Sequence, residues 1–440
     1  MTALGKLDSA NLNGGQKLAV KYFTVAVALF GAQVLFGLLA GIQYLKPDGT
    51  VVLQDFDLGP KTRRAVRVNT VVQGTDVAAV VESSTQDVVV ERTMTWSSGR
   101  GGHHGAGVTA PALDWYLAEG TSYGDFATFV TIANPDTAAT DVQVTFTPDT
   151  GTAVTQTYTV GAQSRLTVYA NGVVGAARNF WTRVHSLGTG VVVERSMYWG
   201  SDFEGGHETA ASPVRAPEWR FAEGATGTGF GFTTYLVIAN PDATATAAVQ
   251  VRFVKGDGTT VTQSYQVPPL KRQTILVNDV PGMGWAPGFS TIVRSVNGVG
   301  VVAERATYWG SWVEGHVTVG APARSVAWWC GEGRQGTQDG LTYETYLPLL
   351  NDDPEQALTV RAEFALETGT TVVRTYTVLP GRRFTTWAGD VAELVGQKFA
   401  VTLTGTTTDG TTPLAFVAER VTYWGEGWYG GHGSMGVPRR

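Results

Sequence analysis

The sequence predicts an all-β chain of tandem antiparallel β-sandwich modules, of immunoglobulin or fibronectin type, behind one N-terminal transmembrane helix. Three observations predict it. The 440 residues include 55 Gly, with 10% aromatic and only 16% charged residues, a composition suited to twisted sheets joined by tight turns. The block VVVERSMYWG (191–200) recurs as VVAERATYWG (301–310) and FVAERVTYWG (416–425), with a looser copy, VVVERTMTWS (88–97), which is the mark of repeated structural units. Residues Tyr22 to Ile42 carry no formal charge, and as a helix they would reach about 30 Å, the thickness of a bilayer's hydrocarbon core.

The apolar run is longer than a signal-peptide core and no A-x-A site follows it, so an uncleaved anchor is expected over residues 1–46, touching the membrane through residues 22–45. Tyr22 and Tyr44 stand where interfacial aromatics belong. Lys6, Lys17 and Lys21 precede the run and Asp48, Asp55 and Asp57 follow it, which predicts a cytoplasmic N-terminus and extracytoplasmic modules at the cell membrane.

A second block opens the modules: WYLAEG (115–120), WRFAEG (219–224) and WWCGEG (328–333). Between the blocks lie TFVTIANPD, TYLVIANPD and TYLPLLNDD, apolar runs stopped by Asn-Pro or Asn-Asp turns. Alternating segments such as DVQVTFTP and AVTQTYTV flank turns at Asp149, Gly256 and Glu367, each a hairpin signal. Seven or eight short strands fit into about a hundred residues, the density of a sandwich. Boundaries fall at the partly Pro-bearing joints, giving a partial module at 47–111 and full modules at 115–216, 219–323 and 328–440. The partial module should lack about three strands, whose place the apolar segment takes.

The recurrent residues are Glu91, Arg92, Trp96 and His103 in the first copy and Trp115, Glu119, Glu194, Arg195, Trp199 and His207 in the second. The third has Trp219, Glu223, Glu304, Arg305, Trp309 and His316; the fourth has Trp328, Glu332, Glu419, Arg420, Trp424 and His432. Strand alternation puts Glu194 and Arg195 on opposite faces, so one face must enclose a charge, and an enclosed charge requires a partner. These residues are therefore expected to be structural. One histidine per module is too few for a zinc site and His207-Glu208-Thr209 lacks a metalloprotease's second His, so no metal is expected. No nucleophile elbow, phosphate loop or dinucleotide fingerprint is present, and no cofactor or catalytic residue is expected. Turn residues such as Asn134, Asp136, Asn240 and Asp242 could meet calcium, although bonding to their own backbone is their commoner role. A net charge of −6 gives no footprint for nucleic acid, and Cys330, the single cysteine, allows no intrachain disulfide.

The ordered blocks W-x-x-A-E-G, I-A-N-P, V-V-A-E-R-x-x-Y-W-G and G-H resemble repeat modules of unknown function in large secreted or surface proteins of Gram-positive and related bacteria, over residues 49–440. Thr95, where other copies have Tyr, and Cys330-Gly331 depart from that pattern. The stretch KYFTVAVALFGAQVLFGLLAGIQYLKPD resembles the first membrane helix of the nitric oxide reductase large subunit, which implies at most a fused fragment without haem chemistry. The expected function is a structural or adhesive role at the cell surface, with cell-wall polymer, other surface proteins or a second copy as partners. The alternative is an array of carbohydrate-binding modules using Tyr116, Trp312, Trp428 and Tyr429.

Overall fold

The computed structural model describes residues 22–29, 38–83, 87–227 and 229–439, with side chains from residue 40 onward. Among these residues every strand pairing is antiparallel. The first group of strands is β1 (Tyr22–Leu29), β2 (Leu38–Leu45), β3 (Val51–Leu58), β4 (Arg63–Arg67), β5 (Ala78–Ser83), β6 (Val88–Trp96) and β7 (Gly101–Ala106). The second is β8 (Asp114–Leu117), β9 (Ala127–Asn134), β10 (Thr140–Pro148), β11 (Val154–Val160), β12 (Ser164–Tyr169), β13 (Phe180–Ser186), β14 (Val192–Trp199) and β15 (Gly205–Ala210).

The second group forms two sheets, β11-β10-β13-β8 and β12-β9-β14-β15. The third repeats both orders, and the fourth repeats them with short extra edge strands. An immunoglobulin sandwich places its first strand beside the second and its seventh beside the sixth. Here β8 lies beside β13 and β14 lies beside β9, so those two strands have exchanged sheets. The exchange puts the Glu-Arg strand β14 between β9 and β15, and leaves the opening strand at an edge.

Alternation explains the layering. In β10, Val142, Val144 and Phe146 are fully buried while Asp141 faces out, as a strand with one covered face requires. Separate cores form around Trp115, Phe146 and Phe180, around Trp219, Phe253 and Phe289, and around Trp328, Phe364 and Phe399. A smaller one gathers Ile42, Tyr44, Phe56 and Val68. Asn134 closes its turn by donating to the Ala138 and Gly161 carbonyls, and Asp136 accepts from the Ala138 N–H. Asn240 with Asp242 and Asn351 with Asp353 repeat this, so these side chains are engaged by backbone, as turn chemistry favours.

The expected transmembrane helix is overturned: its described portions are strands. Backbone pairing places β1 between β4 and β6, and β2 between β3 and β5; residues 30–37 lie outside the described residues. No helix among the described residues is long and apolar enough to cross a membrane. The physical reason is that absence of charge suits a buried strand as well as a span, and Ala40, Ile42 and Tyr44 are enclosed in the first core. The apolar run thus supplies strands that were expected to be missing, and among the described residues the first group lacks only a counterpart of β8.

The four groups are not a string. β7, β15, Glu314–Val319 and Gly430–Met435 pack side by side, each against the next and the last against the first, around a common centre. Close approach there requires glycine: a Cβ on Gly206 would lie 2.9 Å from the Trp96 ring, and one on Gly102 would lie 2.8 Å from that of Trp424.

Candidate functional site

Each Glu-Arg strand touches two neighbours because its adjacent charges point to opposite faces. Arg195 donates to Glu304 at 2.6 Å, Arg305 to Glu419 at 2.9 Å and Arg92 to Glu194 at 2.6 Å. Arg420 closes the circuit by donating to Glu91 at 3.4 Å. Four arginines and four glutamates from four modules therefore form one cyclic series.

The opening strands complete it. The Ala118 N–H donates to Glu304 at 2.6 Å, the Ala222 N–H to Glu419 at 2.7 Å and the Glu332 N–H to Glu91 at 2.7 Å. Glu119 and Glu223 also meet Arg195 and Arg305, at 2.9 and 2.8 Å. Burial works against ionisation of Glu91, but Arg420 and His104 outweigh it and hold its carboxyl below the usual range. Burial raises Glu119, despite Arg195.

A second circuit runs through the tryptophans at the strand ends. The indole N–H groups of Trp96, Trp199, Trp309 and Trp424 donate to the carbonyls of Phe203, Trp312, Trp428 and Gly99, each at 2.6 or 2.7 Å. The opening Trp115, Trp219 and Trp328 instead donate within their own modules, to Val191, Val301 and Phe416.

The histidines occupy the centre. His103 Nε2 meets the Tyr198 hydroxyl at 2.9 Å, and His207 Nε2 meets that of Tyr308 at 3.0 Å. His316 lies against Trp309. Burial pushes His103, His207 and His432 well down and His316 down to about 3. Where the fourth module meets the first, Thr95 offers no phenol, and His432 stacks on His104 with ring centres 4.6 Å apart.

At that seam His104, Glu332 and His432 place ligand-type atoms within 4.8 Å of one another, a grouping sequence spacing could not show because it joins residues 328 positions apart. Arg420 lies 2.8 Å from His104 Nε2 and 3.2 Å from His432 Nδ1, while His104 Nδ1 meets Thr93. A further cation there would sit beside the fixed positive charge of Arg420. Burial and Arg420 disfavour the His104 cation, but Glu91 and Glu332 outweigh them and raise its pKa.

Glu314 also escaped notice in the sequence, because the other copies carry Gly101, Gly205 and Gly430 at its register. Its fully buried carboxyl accepts from the Gly102 N–H of the first module at 3.3 Å, and burial holds it well above the usual carboxylate range.

The aromatics proposed for sugar stacking are largely engaged by protein. Tyr116 is buried. Trp428 is sandwiched between Tyr423 at 4.4 Å and Phe230 at 4.0 Å, and Trp312 stacks on Tyr308 at 4.3 Å. A groove of about 590 Å³ lies beside Phe230, Leu341, Glu344, Trp428 and Tyr429; Glu344 within it accepts from the Trp428 indole at 2.7 Å.

No family model and no curated protein matches the chain. Among solved structures it is similar to Thermotoga maritima 1070 at 13% identity over 24% of this chain and 96% of that one, with a TM-score of 0.22. It is also similar to the Anabaena sensory rhodopsin transducer, at 19% identity over 20% and 91%, TM-score 0.18. A tetra-tandem repeat from the extending region of a large adhesion protein aligns at 13% identity over 97% and 98%, TM-score 0.11. At those scores none carries an argument about this chain.

Proposed function

We propose that this chain is a structural or adhesive repeat protein of the cell exterior, a closed four-module scaffold whose peripheral loops meet cell-wall polymer, other surface proteins or further copies. One observation carries the reading. The charges and tryptophans that recur in every copy are engaged with neighbouring modules, so repetition serves assembly of the scaffold. Buried pairs of this kind are costly unless their partners are fixed, and the ring fixes them.

Retention of the purified chain on insoluble cell-wall material, with sedimentation analysis of self-association, tests the surface role. Retention, or association at micromolar concentration, is the expected result; a chain that stays monomeric and unbound to any wall polymer would overturn it. The carbohydrate-array reading is narrowed to Trp312, which is 39% exposed, and Tyr429, since Tyr116 is buried and Trp428 is sandwiched between two rings.

A further inference from the structure

One arginine recurs at the same register in all four modules without belonging to either block of the repeat: Arg63, Arg165, Arg272 and Arg383 pair with Ala28, Ala133, Ala239 and Leu350. Three of them meet a carboxylate of the module on which their own module docks. Arg165 lies 2.9 Å from Asp76, Arg272 donates from Nε to Asp149 at 2.8 Å, and Arg63 closes the ring on Glu367. These acids are 37%, 41% and 46% exposed, whereas their arginines are at most 11% exposed. Each acid therefore stands at the mouth of a seam with its guanidinium inside.

The seam between the third and fourth modules differs. Where the second and fourth modules open a hairpin turn with Asp149 and Glu367, the third has Gly256: the Asp149 N–H donates to the Asn179 carbonyl and the Gly256 N–H to that of Gly288, each at 2.9 Å. Arg383 faces this turn. Among the described residues it donates to Thr385 at 2.6 Å and to no carboxylate, and its buried Nε has no acceptor. The acid of the turn, Asp257, accepts instead from the Thr259 N–H and hydroxyl, at 2.8 and 2.7 Å. Glu223 and Glu419 are held by Arg305. A second guanidinium, that of Arg382, donates to the Asp257 carbonyl at 3.1 Å. Burial pushes Arg383 down to about 10, against the pull of Glu223 and Glu419, as befits a guanidinium without a counterion. A Cβ on Gly256 would stand 3.8 Å from Arg383 Nη1 and 3.4 Å from the Gly288 carbonyl, so there is room for the acid that the sequence omits.

We propose that the space beside Gly256, between its turn and Arg383, is a binding site for a small oxyanion, a carboxylate or phosphate group that takes the place of the missing side chain. A guanidinium holds such groups through paired N–H donors. At the mouth of a seam the anion keeps water on its outer side, so only part of its hydration is lost. Bound there, it supplies this seam with the negative charge that Asp76, Asp149 and Glu367 supply to the other three, and it ties the fourth module to the third. The site does not depend on the proposed surface role.

The test is urea unfolding of the intact chain in sodium acetate and in inorganic phosphate, each against sodium chloride at equal ionic strength. The dependence of the midpoint on anion concentration gives the dissociation constant. Expected is a saturable rise that Arg383→Gln weakens by about tenfold or more; general salting effects act alike on both chains and cancel in the comparison. Gly256→Asp, which builds the carboxylate in, should raise the midpoint in chloride and abolish the response to added anion. Gly256→Asn, of the same size without the charge, should give no such rise. A stronger response to acetate identifies a carboxylate and a stronger response to phosphate a phosphate; either sustains the proposal. A response that is absent, or equal in Arg383→Gln, would overturn it, as would a Gly256→Asp chain no more stable than Gly256→Asn and still responsive to anion.

Discussion

Two buried glutamates of one module differ in their partners. Glu304 faces Arg195 and the Ala118 N–H, whereas Glu314 has only backbone donors and is held in its acid form. Glu304→Gln should therefore cost about 3 kcal/mol, by leaving a buried guanidinium undercompensated, and Glu314→Gln should cost less than about 1 kcal/mol; urea unfolding of each variant measures both. The histidines make a pH prediction. His103, His207, His316 and His432 have lowered pKa values, so the unfolded chain binds protons that the folded chain refuses once the pH falls below about 6.5. Each then removes about 1.4 kcal/mol per pH unit. His104, raised, contributes stability that is present below its unfolded pKa and lost as pH rises through its folded one, and Glu208, near 7, also favours the folded state as pH falls. Glu119 and Glu314, held above their usual range, act in the same direction as Glu208, so the two sets oppose each other; His316→Gln should remove one opposing member and make the urea midpoint at pH 5.5 rise relative to that at pH 7, by about one proton in slope. The sequence showed that Glu194 and Arg195 face opposite ways, because alternation is a local property. It could not show that Arg195 meets Glu304, because pairing across modules depends on how whole sheets dock.

At the scale of elements, the strands of the second, third and fourth modules were legible from alternation and turn residues: Val142, Val144 and Phe146 against Asp141, and Asn134-Pro135-Asp136 after β9. The run from Tyr22 to Ile42 was not. Residues such as Ala40, Ile42 and Tyr44 alternate in a strand as plausibly as they wrap a helix, and only pairing with β3 and β5 decides between them. Ile42→Asp should unfold the first module, costing at least about 3 kcal/mol, since it places an unpaired carboxylate in that core. The loss is read by amide exchange across β3 and β5, with Leu53→Asp, at an exposed site on β3, leaving exchange unchanged. The exchanged positions of β8 and β14, relative to an immunoglobulin sheet order, were also beyond reach, because hydrophobic pattern specifies which face is buried and not which strand is neighbour.

At the scale of the molecule, ring closure makes the modules interdependent. A compact chain of 440 residues has a radius of gyration of about 22 Å, and small-angle scattering should return a value near that; four modules on flexible joints would give a clearly larger one. Removing one link, by Arg420→Ala, should destabilise the first and fourth modules together. The gradual form of this result would be a single broadened transition in which exchange over β6 and over Val417–Trp424 rises in parallel. The pairing of Arg420 with Glu91 spans 329 positions, and that has a consequence for synthesis. A ribosome adding about 5–20 residues per second leaves Glu91 without its guanidinium for roughly 15–65 s after it emerges. During that interval only His104 of the first module faces the Glu91 carboxylate, so the first module reaches its full stability only when the last repeat has been translated.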